Sequence, residues 1–225
     1  MSDNYEWIVF HIYLSLLKMI KILVFGDSIG YGKRDHEGWW VARLRKRVDE
    51  KYNFWAVCEN AQVYNLSIPG ETAVRMVKRF KAEIEMRLVD PNPETKIYVI
   101  MAIGINDSCK APRMQWIKSS LDQFRSVIET MILFCKEMWY EVILVWLSPV
   151  DEIKKSWTWS NQEIKKYDAI LNEYSKQYNI HFIQLFNLFL DSWLVSGMLD
   201  GIHPDSNGHE IIFEEVKKLL KWINT

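Results

Sequence analysis

Residues Ile20 to Ser28 read Ile-Lys-Ile-Leu-Val-Phe-Gly-Asp-Ser. An apolar run rich in β-branched residues that stops at Gly-Asp-Ser reads as a buried strand. It delivers a serine to the carboxyl end of a sheet, where open α/β sheets place their ligands. A serine in that position becomes a nucleophile only if a base and an oxyanion site converge on it.

The chain beyond Ser28 alternates strand and helix patterns. A loop with Gly30, Gly32 and Gly38 leads to a predicted helix from about Trp39 to Tyr52. Val63 to Leu66 reads as a short second strand, followed by Ser67-Ile68-Pro69-Gly70 and a helix from about Thr72 to Leu88. Ile97 to Ile103 is nearly all apolar, as a strand covered on both faces should be. Pro112 then separates Gly104-Ile105-Asn106-Asp107 from a long helix, about Gln115 to Met138. Glu141 to Leu147 and Ile180 to Leu185 read as the fourth and fifth strands. Between them, Ser160 and Glu163 form a capping-box pattern at the start of a helix to about Tyr178. A mostly apolar stretch leads to Asp200-Gly201-Ile202-His203-Pro204, and a last helix runs from about Ser206 to Ile223. Strands alternating with helices, without an internal repeat, predict an α/β fold: a three-layer α/β/α sandwich around a five-stranded parallel sheet.

Composition excludes several function classes. A net charge of −1 over 225 residues gives no long-range attraction for nucleic acid or an anionic membrane surface. The basic cluster Arg43 to Arg47 is interleaved with Val41, Leu44 and Val48 at helical spacing and reads as a solvated helix face. Cys58, Cys109 and Cys135 are widely spaced, with no Cys-x-x-Cys pair, so neither zinc nor a disulfide framework is indicated. That usage points to a reducing, cytoplasmic compartment. Eleven tryptophans is an unusual count, for which hydrophobic packing is a sufficient reason.

Residues 1–18 stand apart. Trp7 to Leu17 is apolar, but Asp3 and Glu6 precede it and no small-residue cleavage site follows, which does not fit a secretory signal. The run is also too short to span a bilayer. The expected organisation is an accessory segment, 1–18, ahead of a domain over 19–225.

Each candidate chemical residue falls just after a strand or in the loop before the last helix. His203 is placed to act as the base for Ser28. Asp200, three residues earlier in a tight turn, can hold the other imidazole nitrogen and stabilise its charged form. Gly70 allows a backbone N–H to approach closely, Asn106 offers a side-chain amide, and the Ser28 N–H makes a third oxyanion donor. Taken singly, each has a plain alternative: Gly-Asp-Ser as a turn, Asn106-Asp107 as a helix cap or Asx turn, Asp200 and His203 as a surface pair.

Together, Gly26-Asp27-Ser28, the Gly70 loop, Gly104-Ile105-Asn106-Asp107 and Asp200-Gly201-Ile202-His203-Pro204 resemble the four blocks of the GDSL, or SGNH, hydrolase superfamily. The resemblance covers roughly residues 19–223, with Ile29 where the name-giving leucine stands. It implies a flavodoxin-like sandwich and a serine esterase or acyl hydrolase needing no metal or other cofactor. It also implies Ser28, Asp200 and His203 as the catalytic triad, with Ser28, Gly70 and Asn106 as oxyanion donors.

Competing motifs fail. Gly26 to Lys33 has the wrong spacing for a phosphate-binding loop and Arg34 where serine or threonine is required. His203 and His209 are six apart, which is not the spacing of paired helix ligands, and His209 reads as a structural residue of the last helix. His36 lies in a loop, either exposed or lining a cleft. Trp39-Trp40 and Trp157-Thr158-Trp159 either rim the cleft, suiting a sugar face or a short acyl chain, or pack in the core.

The expected activity is hydrolysis of small-molecule carboxylic esters through an acyl-enzyme on Ser28, such as a carbohydrate or short-acyl deacetylase. The alternatives are a thioesterase or lysophospholipase acting on longer acyl chains, and a catalytically idle binding module.

Overall fold

The computed structural model describes residues 19–36, 38–53, 61–88, 95–110, 119–145, 147–155, 158–191 and 197–220. Five strands, β1 (Ile20–Gly26), β2 (Ala61–Asn65), β3 (Lys96–Ala102), β4 (Glu141–Val145) and β5 (His181–Ile183), form one sheet in the order β2-β1-β3-β4-β5. All neighbouring pairs are parallel. The described helices are α1 (Ser28–Tyr31), α2 (Trp40–Val48), α3 (Ala73–Glu85), α4 (Leu121–Glu137), α5 (Glu152–Lys155), α6 (Asn161–Tyr178), α7 (Phe186–Asp191) and α8 (Ser206–Leu219).

Alternation along the strands fills two cores. Leu23, Phe25, Val99, Met101, Val142 and Leu144 point to one face, where α3, α4 and α6 bury Met76, Phe80, Phe124, Ile128, Tyr167 and Leu171 against them. Ile22, Val24, Tyr98, Ile100, Ile143 and Val145 point to the other, under Trp40 and Leu44 of α2 and Ile212 and Val216 of α8. A sheet covered on both faces has to be apolar at every position of its central strands, which is why β1 and β3 read as continuous runs.

The strand order fixes where a site can form. From β1 the chain crosses to β2 on one side, then returns to β3 on the other. The crossovers diverge at the carboxyl ends of β1 and β3 and leave a crevice there.

Several elements differ from the sequence expectation. Ser28 lies in a one-turn helix rather than a loop, with Asp27 as its N-cap. The long helix starts at Leu121, where Ser120 and Gln123 form a complete capping box; residues 111–118 lie outside the described residues. Helix α2 ends at Val48 and continues as a single wide turn over Asp49–Asn53. Helices α5 and α7 were not foreseen, because four and six residues are too few to show a helical period. The basic cluster on α2 is not uniformly solvated. Arg43 is largely covered, donating from Nε to the Gly38 carbonyl at 2.5 Å, from Nη1 to the Ser206 carbonyl at 2.9 Å and from Nη2 to Ser206 Oγ at 2.7 Å. It ties α2 to the start of α8. Among the described residues, no helix is long and apolar enough to cross a membrane.

Candidate active site

Each loop at the carboxyl edge is shaped by contacts that its own sequence requires. Asp27 ends β1 and accepts the Ile29 N–H at 2.9 Å, which starts α1 and presents Ser28 at the sheet edge. Gly30 follows because the chain after β2 passes against it: a Cβ there would sit 2.4 Å from Ser67 Oγ. The Gly70 loop needs glycine for its backbone conformation. Its φ is +75°, while the space a Cβ would occupy is open, so the requirement is conformational. After β3, the turn Gly104–Cys109 closes on itself through Ser108 N–H to the Gly104 carbonyl and Ser108 Oγ to the Ile105 carbonyl.

The last loop brings His203, the expected base, to Ser28. Asp200 accepts the backbone N–H groups of Ile202 and His203 on Oδ1, at 3.2 and 3.1 Å. The same carboxylate lies 2.9–3.0 Å from His203 Nδ1. His203 Nε2 lies 2.8 Å from Ser28 Oγ, across 175 residues of sequence. A carboxylate can only accept, so Nδ1 carries the proton and Nε2 is left to accept from the Ser28 hydroxyl. The Asp200–His203 turn is held from outside by the Asp151 N–H, which donates to the Gly201 carbonyl at 2.9 Å.

The electrostatics match this geometry. Burial pushes the Asp200 carboxyl up, but bonds from the His203 ring and backbone outweigh it and bring its pKa down to about 2. Burial lowers the pKa of His203, and the Asp200 bond and charge oppose that without cancelling it. The net result is an imidazole that is neutral, and able to take a proton, from below its ordinary value of about 6.5.

Asn106 is buried, and its Nδ2 donates to the Glu71 carbonyl at 2.9 Å, which joins the loop after β3 to the Gly70 loop. One N–H of the amide remains for a ligand. Below it lies a group of side chains that the sequence reading did not identify. Asp107, fully buried, accepts the Ala73 N–H on both oxygens at 3.1 Å and the Ser119 hydroxyl at 2.5 Å. It thereby caps α3 from another segment, since Thr72 makes no side-chain cap bond. Glu71, also buried, is paired with Arg79 at 2.7 Å. Burial raises the Asp107 carboxyl to about 6 against the Ser119 and Ala73 bonds. It raises Asp27 to about 7 against the Ile29 N–H, with the charges of Asp107 and Glu71 adding to the effect. Asp27 also borders a cavity of about 30 Å³ whose other walls, Ile29, Trp40, Ile105 and Leu147 among them, are mostly apolar.

The aromatic candidates take structural places. Trp159 is buried and donates its Nε1 to the Ile105 carbonyl at 2.7 Å, bracing the loop that carries Asn106. Trp40 is core and Trp39 packs partly buried against it, while Trp157 lies outside the described residues. His36 is exposed, and His209 is fully buried on α8, with burial taking its pKa down to about 4. Cys109 and Cys135 are buried; Cys58 lies outside the described residues.

A five-stranded doubly wound sheet, with a serine after β1 bonded to a histidine before the last helix, defines a class of hydrolase. The chain belongs to the GDSL-like lipase/acylhydrolase family, whose profile matches residues 24–211, and it is a hydrolase acting on esters. A GDSL esterase/lipase of Arabidopsis thaliana is 23% identical over 220 residues, which cover 89% of this chain and 86% of that protein. Among solved structures, a lipase/acylhydrolase from Enterococcus faecalis superposes with a TM-score of 0.69 at 21% identity, covering 90% of this chain and 96% of its own. An acetylxylan esterase from Geobacillus stearothermophilus gives 0.70 at 20% identity, covering 91% and 94%. At these identities the structural likeness speaks for the fold.

Proposed function

We propose that this protein cleaves carboxylic esters through an acyl-enzyme on Ser28. The observation that carries the reading is the chain of contacts from Ser28 Oγ through His203 to Asp200. In the first half-reaction Ser28 Oγ attacks the ester carbonyl while His203 Nε2 takes its proton. The tetrahedral oxyanion is met by the N–H groups of Ser28 and Gly70 and by the Asn106 amide. His203 then returns the proton to the leaving alcohol. In the second half-reaction a water, deprotonated by the same nitrogen, releases the acid and restores Ser28. Asp200 stays ionised throughout and stabilises the imidazolium.

The acyl group we assign is short, in keeping with an acetyl-ester hydrolase among the proteins of similar fold. A chain-length series of p-nitrophenyl esters and acyl thioesters tests this; a preference for long chains would favour the lysophospholipase or thioesterase reading. We further assign catalysis to residues 19–225 and an accessory role to 1–18. The catalytic groups all follow Met19, whose carbonyl accepts the Lys96 N–H at the start of the sheet. A fluorophosphonate should label the full chain and a chain beginning at Met19, and should fail to label Ser28→Ala. Labelling that survives the substitution would remove Ser28 as the nucleophile.

A further inference from the structure

We infer that Arg34 is a positioning residue of the triad, holding Asp200 from its solvent side so that the carboxylate stays aimed at His203. This rests on the reading of Ser28, His203 and Asp200 given above. Arg34 Nε lies 3.0 Å from Asp200 Oδ2. The two carboxylate oxygens are unequally supplied. The imidazole Nδ1 lies near both oxygens, at 3.0 Å from Oδ1 and 2.9 Å from Oδ2, but Oδ1 also receives two backbone N–H groups, whereas the other donor to Oδ2 is Arg34. The Asp200 side chain is 22% exposed, and Arg34 supplies it with a donor where water would otherwise compete.

The segment carrying Arg34 is tied to the nucleophile. The N–H groups of Gly32 and Lys33 both donate to the Ser28 carbonyl, at 3.1 and 2.9 Å. The turn they form leaves Arg34 at a φ of +71°, a left-handed conformation that costs a side-chain-bearing residue energy and persists only where the surroundings impose it. From this turn the side chain reaches Asp200. Arg34 lies only six positions after Ser28, so a short segment connects the proposed nucleophile to the side chain that supports the acid.

Stability does not explain the contact. The Arg34 side chain is 56% exposed, and an ion pair that open to solvent contributes little to folding. Its effect is local. The groups facing His203 are Ser28 and the cations Lys33 and Arg34 from the α1 end, Asp200 from its own loop, and His209 from α8. The two cations oppose protonation of the imidazole, while Asp200 favours it.

The test uses the full chain with Arg34→Gln, Arg34→Lys and Arg34→Gly. Glycine accepts a φ of +71° without strain, so it separates loss of the side chain from any disturbance of the backbone. Two readouts are taken: the low-field Nδ1–H resonance and Cε1–H titration of His203 by NMR, and the pH profile of kcat and KM for p-nitrophenyl acetate. Arg34→Gln and Arg34→Gly should weaken the Nδ1–H resonance and move the imidazole titration to higher pH. They should also lower kcat by roughly tenfold or more with little change in KM. Arg34→Lys should restore the titration, which needs charge, and leave kcat low, because an ammonium lacks the planar fork. Unchanged resonance, titration and kcat in Arg34→Gln and Arg34→Gly would overturn the inference, as would a moved titration with kcat intact. If the wild type itself fails to hydrolyse esters, the proposed function fails separately, and the NMR readouts still decide the role of Arg34.

Discussion

Asp200 and Asp107 both stand at the carboxyl edge of the sheet, and the protein treats their charge in opposite ways. Asp200 is partly open to water, receives donors from His203, Ile202 and Arg34, and is held near a pKa of about 2. Asp107 is sealed, is used by a hydroxyl and one backbone N–H, and is pushed up to about 6. Donors that include a titrating ring and a guanidinium belong to a carboxylate needed for its charge. A buried carboxylate answering a helix end and a hydroxyl is needed for its shape. In the proposed mechanism the first region moves protons, while the second fixes the loop from which Asn106 would meet the oxyanion.

That division can be broken experimentally, taking the variants in order of their expected effect on turnover. Asp200→Asn should be the most severe. It keeps the volume but supports the wrong imidazole tautomer, and the plateau rate should fall by up to about 10⁴. In the wild type, activity should rise with pH through the His203 pKa, which lies below the ordinary value because burial outweighs Asp200. Removing the carboxylate takes away the influence that raises it, so the midpoint should move lower still. A plateau within a few-fold of wild type would leave Ser28 and His203 as a dyad.

Asn106→Ala comes next, at about 10²–10³ in kcat, the cost of one oxyanion donor. Wild-type turnover there would return Asn106 to its bond with the Glu71 carbonyl as its whole role. Asp107→Ala should act mainly on the fold. It strands the Ala73 N–H and the Ser119 hydroxyl in a buried site, at about 1–3 kcal/mol for each group. Turnover should drop by no more than roughly tenfold, through displacement of Asn106. Denaturant midpoints measured beside kcat would separate the two effects. A variant as stable as wild type but inactive would place Asp107 in the chemistry and erase the contrast with Asp200.

What the sequence made legible follows from the range over which each signal acts. The continuous apolar runs of β1 and β3 announce a sheet covered on both faces, because every residue of those strands feels the same requirement. Ser28, Asn106, Asp200 and His203 stood out as candidates because the proposed chemistry needs those residue types just after strands or in the loop before the last helix. Asp107 was legible only as a helix cap or an Asx turn: it proves to be a cap, but of a helix that begins 34 residues earlier, which nothing local could indicate. The tie between Arg34 and Asp200 was hidden in the same way, because no spacing rule connects residues from two different loops. Of the two places open to Trp159, cleft rim or core, the structure takes the second: its ring is buried and its one polar atom is spent on the Ile105 carbonyl.

The mildest effect on turnover is expected at Asp27, and it tests whether a carboxylate next to the nucleophile belongs with Asp107 rather than Asp200. Burial raises its pKa from 3.8 to about 7, above that of the unfolded chain. The native state therefore keeps the Asp27 proton after the unfolded state has released it. Stability attributable to this group is fully present below about pH 4 and is lost as pH rises to about 7, levelling off beyond. Asp27→Asn preserves an oxygen for the Ile29 N–H and removes the titration. The variant should match wild-type turnover at pH 6 and should hold its stability across the window in which the wild type declines. Parallel stability curves for the two proteins between pH 4 and 7 would show that Asp27 is ionised in the folded state. Lost turnover with the fold intact would instead mean that its carboxyl proton serves Ser28, and the carboxylate would then belong with the charge-bearing half of the site.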